Sequence, residues 1–130
     1  MGGLRDQHPK SVGPPRRMRA DEKAVITALM KASPRSSEFE RALETIIVRS
    51  MNDGDMGSVL FAPADDRKRL FGCEIASAEF VDEDGVPVSL ALNVDQYGDL
   101  FELDIWKKDF SPLIRYPGVS DLKIVRLASS

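Results

Sequence analysis

Residues 82–106 read DEDGVPVSLALNVDQYGDLFELDIW, and the alternation of apolar and polar residues in this stretch decides the fold. In the first half, apolar residues recur at every second position from Val86 to Val94, which is the period of a strand with one buried face. FELDIW alternates in the same way. Asp84-Gly85 and Tyr97-Gly98 precede these runs, where such pairs favour tight hairpin turns. The stretch therefore predicts two antiparallel strands of one sheet.

The flanking residues extend this sheet in both directions. Asp53-Gly54 predicts a further hairpin turn. Between residues 70 and 81 the apolar parity switches, which predicts a β-bulge near Ala76 or Ser77. The prolines of DFSPLIRYPG at 109–118 end the sheet, and we interpret residues 122–127 as a last strand. We therefore expect a mostly antiparallel meander of about five strands.

Upstream of the sheet the apolar period becomes that of helices. Val25, Ile26, Leu29 and Met30 recur at helical spacing, and Ser33-Pro34 ends this first helix. Ser37 and Glu40 form a capping box that predicts a second, short helix. Residues 1–19 combine Gly, Pro and basic residues with almost no apolar ones, so we expect a disordered basic tail. The expected architecture is an α+β domain over residues 20–130, with an N-terminal helical pair packed on the sheet.

Length and composition limit the class of protein. With 130 residues, of which 42% are hydrophobic and 30% charged, the chain has the size and composition of one globular domain. Its apolar runs are far shorter than the ~20 residues that span a bilayer. The basic N-terminus is not followed by the apolar stretch of a secretory signal. We therefore expect a cytoplasmic protein without membrane contact.

Ordinary structure accounts for each candidate catalytic or ligand motif. The single histidine, His8, lies in the predicted tail, which argues against triad hydrolases, cysteine proteases and zinc sites. Cys73 lies on the apolar parity of a strand, so we expect a buried thiol. The Asp-rich turns at 52–57 and 82–85 do not match a calcium loop, and no phosphate-binding glycine motif is present. We expect no catalytic residue, no metal and no cofactor.

The distribution of charge singles out one surface. Residues 1–35 carry eight basic and three acidic residues, whereas residues 79–110 carry nine acidic and two basic ones. Glu102, Asp104 and Trp106 alternate along one face of a strand, and Asp109 follows. An aromatic residue among carboxylates is typical of an interface anchor. We therefore predict that this acidic sheet face binds a basic protein partner.

Other uses of the same residues remain open. Glu102 and Asp104, roughly 6–7 Å apart on one face, are the pair that a carboxylate-dependent enzyme would use, with or without a metal. A homodimer along an edge strand or through the Trp106 face is another hypothesis. The basic residues at 16–19 and 67–69 invite a nucleic-acid interpretation. The pI of about 5.2 and the lack of interleaved aromatic residues argue against a nucleic-acid partner.

Three blocks carry a resemblance to known proteins: MGS at 56–58, DEDGVPVSLALN at 82–93 and FELDIWKKDFSPL at 101–113. Over residues 21–117 the chain resembles a bacterial family of small proteins catalogued as a domain of unknown function. The resemblance implies no activity, cofactor or catalytic residue. Size and acidity are also similar to those of immunity proteins that neutralise bacterial toxins. The leading hypothesis is therefore a non-enzymatic, immunity-like binding module.

Overall fold

In the described part of the chain, seven antiparallel strands form one sheet, in which chain neighbours are not always sheet neighbours. The computed structural model describes residues 12–33, 39, 42–62 and 68–125. The strands are β1 (Arg16–Arg17), β2 (Ile47–Ser50), β3 (Val59–Phe61), β4 (Phe71–Val81), β5 (Pro87–Asp95), β6 (Leu100–Lys107) and β7 (Lys123–Val125). Their order across the sheet is β1-β2-β3-β6-β5-β4-β7. One α-helix, α1 (Ala20–Lys31), lies within the described residues.

The α+β expectation of a helical pair on a five-strand sheet is wrong, because the protein is mainly β. Of the predicted second helix, the structure describes Phe39, which is helical, and then a 3-10 turn (Ala42–Glu44), after which the chain continues into β2. The β-branched run at 46–48 explains this, since such side chains favour extended backbone. The Ser37 and Glu40 capping box lies outside the described residues.

The three hairpin turns expected from the sequence are confirmed. Gly54, Gly85 and Gly98 lie between β2 and β3, β4 and β5, and β5 and β6, with φ angles of 79°, 82° and 90°. Only glycine adopts such angles without strain, so these residues set the hairpin positions. The last segment is a strand where it is described, at β7. Pro87 begins β5, as its missing N–H requires.

The expected meander is interrupted between β3 and β4, although β1–β2–β3 and β4–β5–β6 each follow chain order. β3 pairs with β6, with Val59 opposite Leu103 and Leu60 opposite Glu102. The segment at 68–70 that leads into β4 lies beside the end of the β5–β6 hairpin. Arg69 fixes it there, because its guanidinium donates to the carboxylate of Asp95 (2.7 Å) and to the carbonyls of Phe61 (2.8 Å) and Leu100. Its side chain is 7% exposed, so this part of the expected basic patch belongs to the interior.

Helix α1 covers one face of the sheet, which we call the core face. Val25, Ile26, Leu29 and Met30 are at most 1% exposed and form the apolar stripe that the sequence predicted. They pack with the alternating apolar residues of β5 and β6, such as Leu90 and Leu103. Burial of each such side chain contributes roughly 1.5–3 kcal/mol. No helix among the described residues is long and apolar enough to cross a membrane.

Strand β4 changes parity in its first half, as expected. Its register with β5 shifts between Phe71 and Cys73 and again between Glu74 and Ala76, so that Ile75 and Ala76 are both buried. This confirms the parity switch, although the shift comes slightly before the expected position. The prediction of a buried Cys73 is wrong, since its thiol is exposed. The two shifts break the simple alternation on which that prediction relied.

The first strand begins inside the segment that we expected to be a tail. Arg16 and Arg17 pair with Val48 and Ile47, and the Arg16 guanidinium donates two 2.8 Å hydrogen bonds to Glu22. Glu22 is 1% exposed and caps α1 by accepting the Arg19 N–H (2.8 Å). Burial opposes ionisation of Glu22, but these bonds prevail and lower its pKa. The folded domain therefore starts before residue 20; residues 1–11 lie outside the described part.

Candidate functional site

The four residues of the predicted binding face separate into a buried and an exposed group. Glu102, Asp104 and Trp106 share the sheet face opposite the core face, as strand alternation requires. Glu102 and Asp104 are only 3% and 5% exposed, whereas Trp106 is 37% exposed. Asp109 lies beyond the end of β6 in an exposed turn. The expectation of a water-exposed carboxylate pair is therefore wrong, and neither carboxylate offers open surface to a partner or substrate.

The buried group is a polar strip across β5 and β6, which we call the inner strip: Asn93, Glu102, Asp104 and Ser58. Asn93 lies directly opposite Glu102, and its Nδ2 donates to Glu102 Oε2 at 2.8 Å. Ser58 Oγ lies 3.5 Å from Asp104 Oδ1 and accepts the Ile105 N–H at 2.8 Å. Sequence reasoning missed Asn93 and Ser58. Parity placed Asn93 on this face, but its register opposite Glu102 required the structure.

The exposed group belongs to one end of the sheet, which we call the Phe110 end: Trp106 with residues 51–58, 82–86 and 108–116. Backbone hydrogen bonds join these segments, for example from the Leu113 N–H to the Asp55 carbonyl (3.1 Å). Phe110 is 72% exposed and has a φ of 62°. Ile114 is also exposed. The end therefore presents large apolar side chains to water on a well-connected backbone.

A buried ion cluster holds the Phe110 end together. Lys107 has no exposed side-chain surface, and its Nζ lies 2.9 Å from Asp82 Oδ2 and 2.7 Å from Asp84 Oδ2. It also donates to the Pro112 carbonyl (3.2 Å). The Asp82 carboxylate accepts the N–H groups of Ile114 (2.8 Å) and Arg115 (3.2 Å). The cluster therefore fixes the segment after β6 to the β4–β5 turn.

The protonation state of Asp82 follows from these contacts. Burial opposes its ionisation, but the Ile114 N–H, the Lys107 ammonium and two further N–H groups stabilise the carboxylate more strongly. Together they lower the pKa of Asp82 to about 2. Asp109 is also stabilised as the anion, because the hydroxyl and N–H of Ser111 donate to it at 2.6 and 3.0 Å. These bonds lower its pKa. Both groups are negatively charged at neutral pH.

The surface of the Phe110 end is acidic. Lys107 is neutralised within the cluster and contributes no surface charge, because its side chain is fully buried. Besides Asp82, which is buried with Lys107, the end carries five carboxylates and two basic groups around the apolar side chains. These are Asp53, Asp55, Glu83, Asp84 and Asp109 against Lys108 and Arg115. Apolar residues with a surplus of carboxylates at the rim are features of a protein-binding surface.

No three His, Cys, Asp or Glu side chains come together as a metal-binding group in the described part of the chain. Exposed Cys73 lies on β4, in the half of that strand that pairs with the far end of β5. That half is remote from the Phe110 end. The described residues therefore show an exposed surface and a buried polar strip.

The family described as domain of unknown function (DUF6984) matches residues 15–117. This range includes β1 to β6, the inner strip and Phe110, and it ends before β7. The resemblance to a family of unknown function is thereby confirmed. Comparisons with curated proteins and with solved structures found no significant match.

Proposed function

Because the chain belongs to the DUF6984 family, whose function is unknown, its role has to be inferred from its surface, and we propose that it is a non-enzymatic protein-binding domain. The binding surface is the Phe110 end, with Phe110 and Trp106 as apolar anchors. The partner is a basic protein. This proposal keeps Trp106 and Asp109 from the predicted face and replaces the buried Glu102 and Asp104.

The conformation of Phe110 carries the proposal. A φ of 62° places a bulky residue in the left-handed region, which costs roughly 1–2 kcal/mol for residues other than glycine. The ring is 72% exposed, so burial within the domain regains little of that cost. Residues held in such conformations cluster at ligand-binding sites. Stability of the fold does not account for an aromatic residue at position 110. A partner that covers the ring would account for it.

The turn that carries Phe110 is fixed. The Phe110 N–H donates to the Lys107 carbonyl at 2.9 Å, and Lys107 is itself held in the buried ion cluster. On the other side, Asp109 accepts two hydrogen bonds from Ser111. An anchor on a fixed backbone loses little conformational entropy on binding. The ring is therefore arranged to enter a pocket on the partner.

Charge selects the class of partner. Asp109 and Glu83 are exposed carboxylates of the Phe110 end. Opposite charges accelerate encounter and disfavour partners of like charge, so a basic protein surface fits best. Trp106, at 37% exposed, supplies a second apolar anchor beside β5. Aromatic anchors inside a charged rim are the usual distribution of binding energy at interfaces.

Site-specific photo-crosslinking tests the proposal. A photoreactive phenylalanine analogue replaces Phe110 in the full chain, which is then illuminated in an extract of its native cell. Tyr97 provides the matched control, because it is an exposed aromatic residue (52%) on a turn at the opposite end of the sheet. We expect a basic protein to be linked through position 110 and not through position 97. Equal linking from both positions would contradict the proposed surface.

Substitutions then separate binding from folding. Phe110→Asn should abolish capture of the linked protein and also stabilise the fold by about 1 kcal/mol, because asparagine tolerates positive φ. Asp109→Lys should slow association several-fold, whereas Tyr97→Asn should change neither rate. Unchanged affinity in Phe110→Asn would overturn the proposal. A cross-link only to a second copy of the chain, whose net charge is −3, would assign this surface to a homodimer instead.

A further inference from the structure

A cavity lies at one edge of the sheet, where β1, the start of β2 and the first half of α1 come together. β1 is the edge strand, and its Arg17 lies opposite Ile47 of β2. The cavity has a volume of about 340 Å³, which is within the range of small-molecule pockets. Its described lining consists of residues 17–18, 43–47 and Lys23. None of these belongs to the Phe110 end, so an inference from this cavity is independent of the proposed protein partner.

Apolar residues make up half of the described lining. Leu43 belongs to the buried core, and Met18 and Ile46 pack against that core while remaining half-buried. Ile47 is half-buried as well. The cavity therefore brings water to the margin of the hydrophobic core. A ligand with an apolar body would remove this surface from water, which favours its binding.

The basic residues near this cavity divide into a paired and an unpaired group. Arg16 and Arg19 form ion pairs with the Glu22 carboxylate, at 2.8 and 3.2 Å. Within the described part of the chain, the Arg17 guanidinium and the Lys23 ammonium form neither an ion pair nor a side-chain hydrogen bond. The two cations without a carboxylate partner are therefore the two that line the cavity.

The charges of the lining select the charge of a ligand. Glu44 is the acidic residue of the described lining, so two cations against one carboxylate leave a surplus of one positive charge. A monoanion balances this surplus, whereas a phosphate monoester, with a charge of about −1.5 to −2 at pH 7, would exceed it. Thr45 adds a hydroxyl that can donate a hydrogen bond to an anion.

We propose that this cavity binds a small carboxylic acid with an apolar chain or ring, in its ionised form. Arg17 and Lys23 bind the carboxylate, and the planar guanidinium of Arg17 can donate two parallel hydrogen bonds to it. Met18 and Ile46 contact the apolar body of the ligand. Acids with a chain and acids with a ring share this chemistry, so the experiment has to compare the two.

Titration of the full chain with four probes, followed by NMR of the backbone amides, tests the proposal. Octanoate carries a chain and 3-phenylpropanoate a ring, whereas acetate has the charge without the body and octylammonium has the chain with the opposite charge. We expect octanoate or 3-phenylpropanoate to bind at least about tenfold more tightly than both controls, and the tighter acid identifies the body. The signals of Met18, Thr45 and Ile46 should shift, whereas that of Ile124 in β7, at the opposite edge of the sheet, should not. Octylammonium that shifts the cavity signals as readily as the acids, or shifts centred elsewhere, would overturn the proposal.

Substitutions then assign the binding to the two cations. Arg17→Gln and Lys23→Gln should each weaken binding of the preferred acid by about threefold or more, and Glu44→Gln should strengthen it. Lys31→Gln is the matched control, because Lys31 is an exposed lysine in the last turn of α1 and is not among the described lining residues. Unchanged affinity in Arg17→Gln and Lys23→Gln, or an equal loss in Lys31→Gln, would contradict the site. If a variant does not fold, the comparison of the four probes on the wild-type chain still decides.

Discussion

Asp82→Asn tests whether the buried ion cluster at the end of β6 stabilises the fold. The pKa of Asp82 is about 2 in the folded protein, against 3.8 for an ordinary aspartate. Each pKa unit corresponds to 1.36 kcal/mol, so ionised Asp82 contributes about 2 kcal/mol to the free energy of unfolding at pH 7. Both oxygens of Asp82 accept from donors, so in either orientation the N–H₂ group of asparagine faces a donor. We therefore expect the variant to lose at least about 2 kcal/mol at pH 7.

The pH dependence gives the sign of the effect. A carboxylate whose folded pKa lies below its unfolded pKa binds fewer protons in the folded state, so its contribution is complete above the unfolded value. It is lost as the pH falls through the folded value. For Asp82 the contribution should be constant above about pH 5 and nearly absent at about pH 2. The difference between wild type and Asp82→Asn should shrink over that interval.

Urea unfolding followed by far-UV circular dichroism at pH 7, 5, 3 and 2 measures this difference directly. Glu22, Asp95 and Asp109 also have lowered pKa values, so the wild type alone will lose additional stability in acid. Subtracting the free energy of unfolding of Asp82→Asn from that of the wild type cancels the contribution of these three groups, because both proteins contain them. Glu79→Gln, at an exposed carboxylate, serves as control and should show no comparable pH-dependent difference. A difference for Asp82→Asn that is equal at pH 5 and pH 2 would refute the reasoning.

Substitutions at Gly72 and Arg69 probe the opposite end of the sheet, with Gly85 at the Phe110 end as a comparison. Gly72→Ala should lower the free energy of unfolding by more than about 2 kcal/mol, because the added Cβ would overlap the Asp95 carbonyl. Gly85→Ala should lower it by only about 1 kcal/mol, because Gly85 has a φ of 82° but open space around it. Thermal unfolding measures both changes. Arg69→Lys should cost about 2 kcal/mol in urea unfolding, since an ammonium cannot reproduce the three bonds of the guanidinium. A change below about 0.5 kcal/mol would contradict that role for Arg69.

The structural features that the sequence predicted correctly are those that depend on residues close together in the chain. Alternation located β5 and β6, and the glycine turns located the hairpins, because both signals act within a few residues. The pairing of β3 with β6 joins residues more than 40 positions apart. Local pattern contains no information on such a partner, so the expected meander was too simple. The short β1 was missed for the same reason, since only its contacts with β2 and Glu22 order it.

The binding face was predicted only in part, because parity and burial are different properties. Alternation correctly placed Glu102, Asp104 and Trp106 on one side of β6, but it does not tell whether that side is covered. The structure buries the two carboxylates and leaves Trp106 partly exposed. The strongest candidate, Phe110, had no sequence signal beyond its apolar side chain, since a positive φ at a residue other than glycine arises from the surrounding turn.

Phe110 differs from the buried charged residues of this domain, because the fold accounts for those residues but not for Phe110. Lys107 with Asp82, Arg69 with Asp95 and Arg16 with Glu22 each satisfy a buried carboxylate, so the fold itself accounts for these charges. Phe110 has the opposite character, because its backbone is strained and its apolar ring faces water. Selection for stability alone would favour glycine or asparagine at this position. If Phe110→Asn proved less stable than the wild type, the ring would contribute to the fold, and this reason for a binding role would be lost.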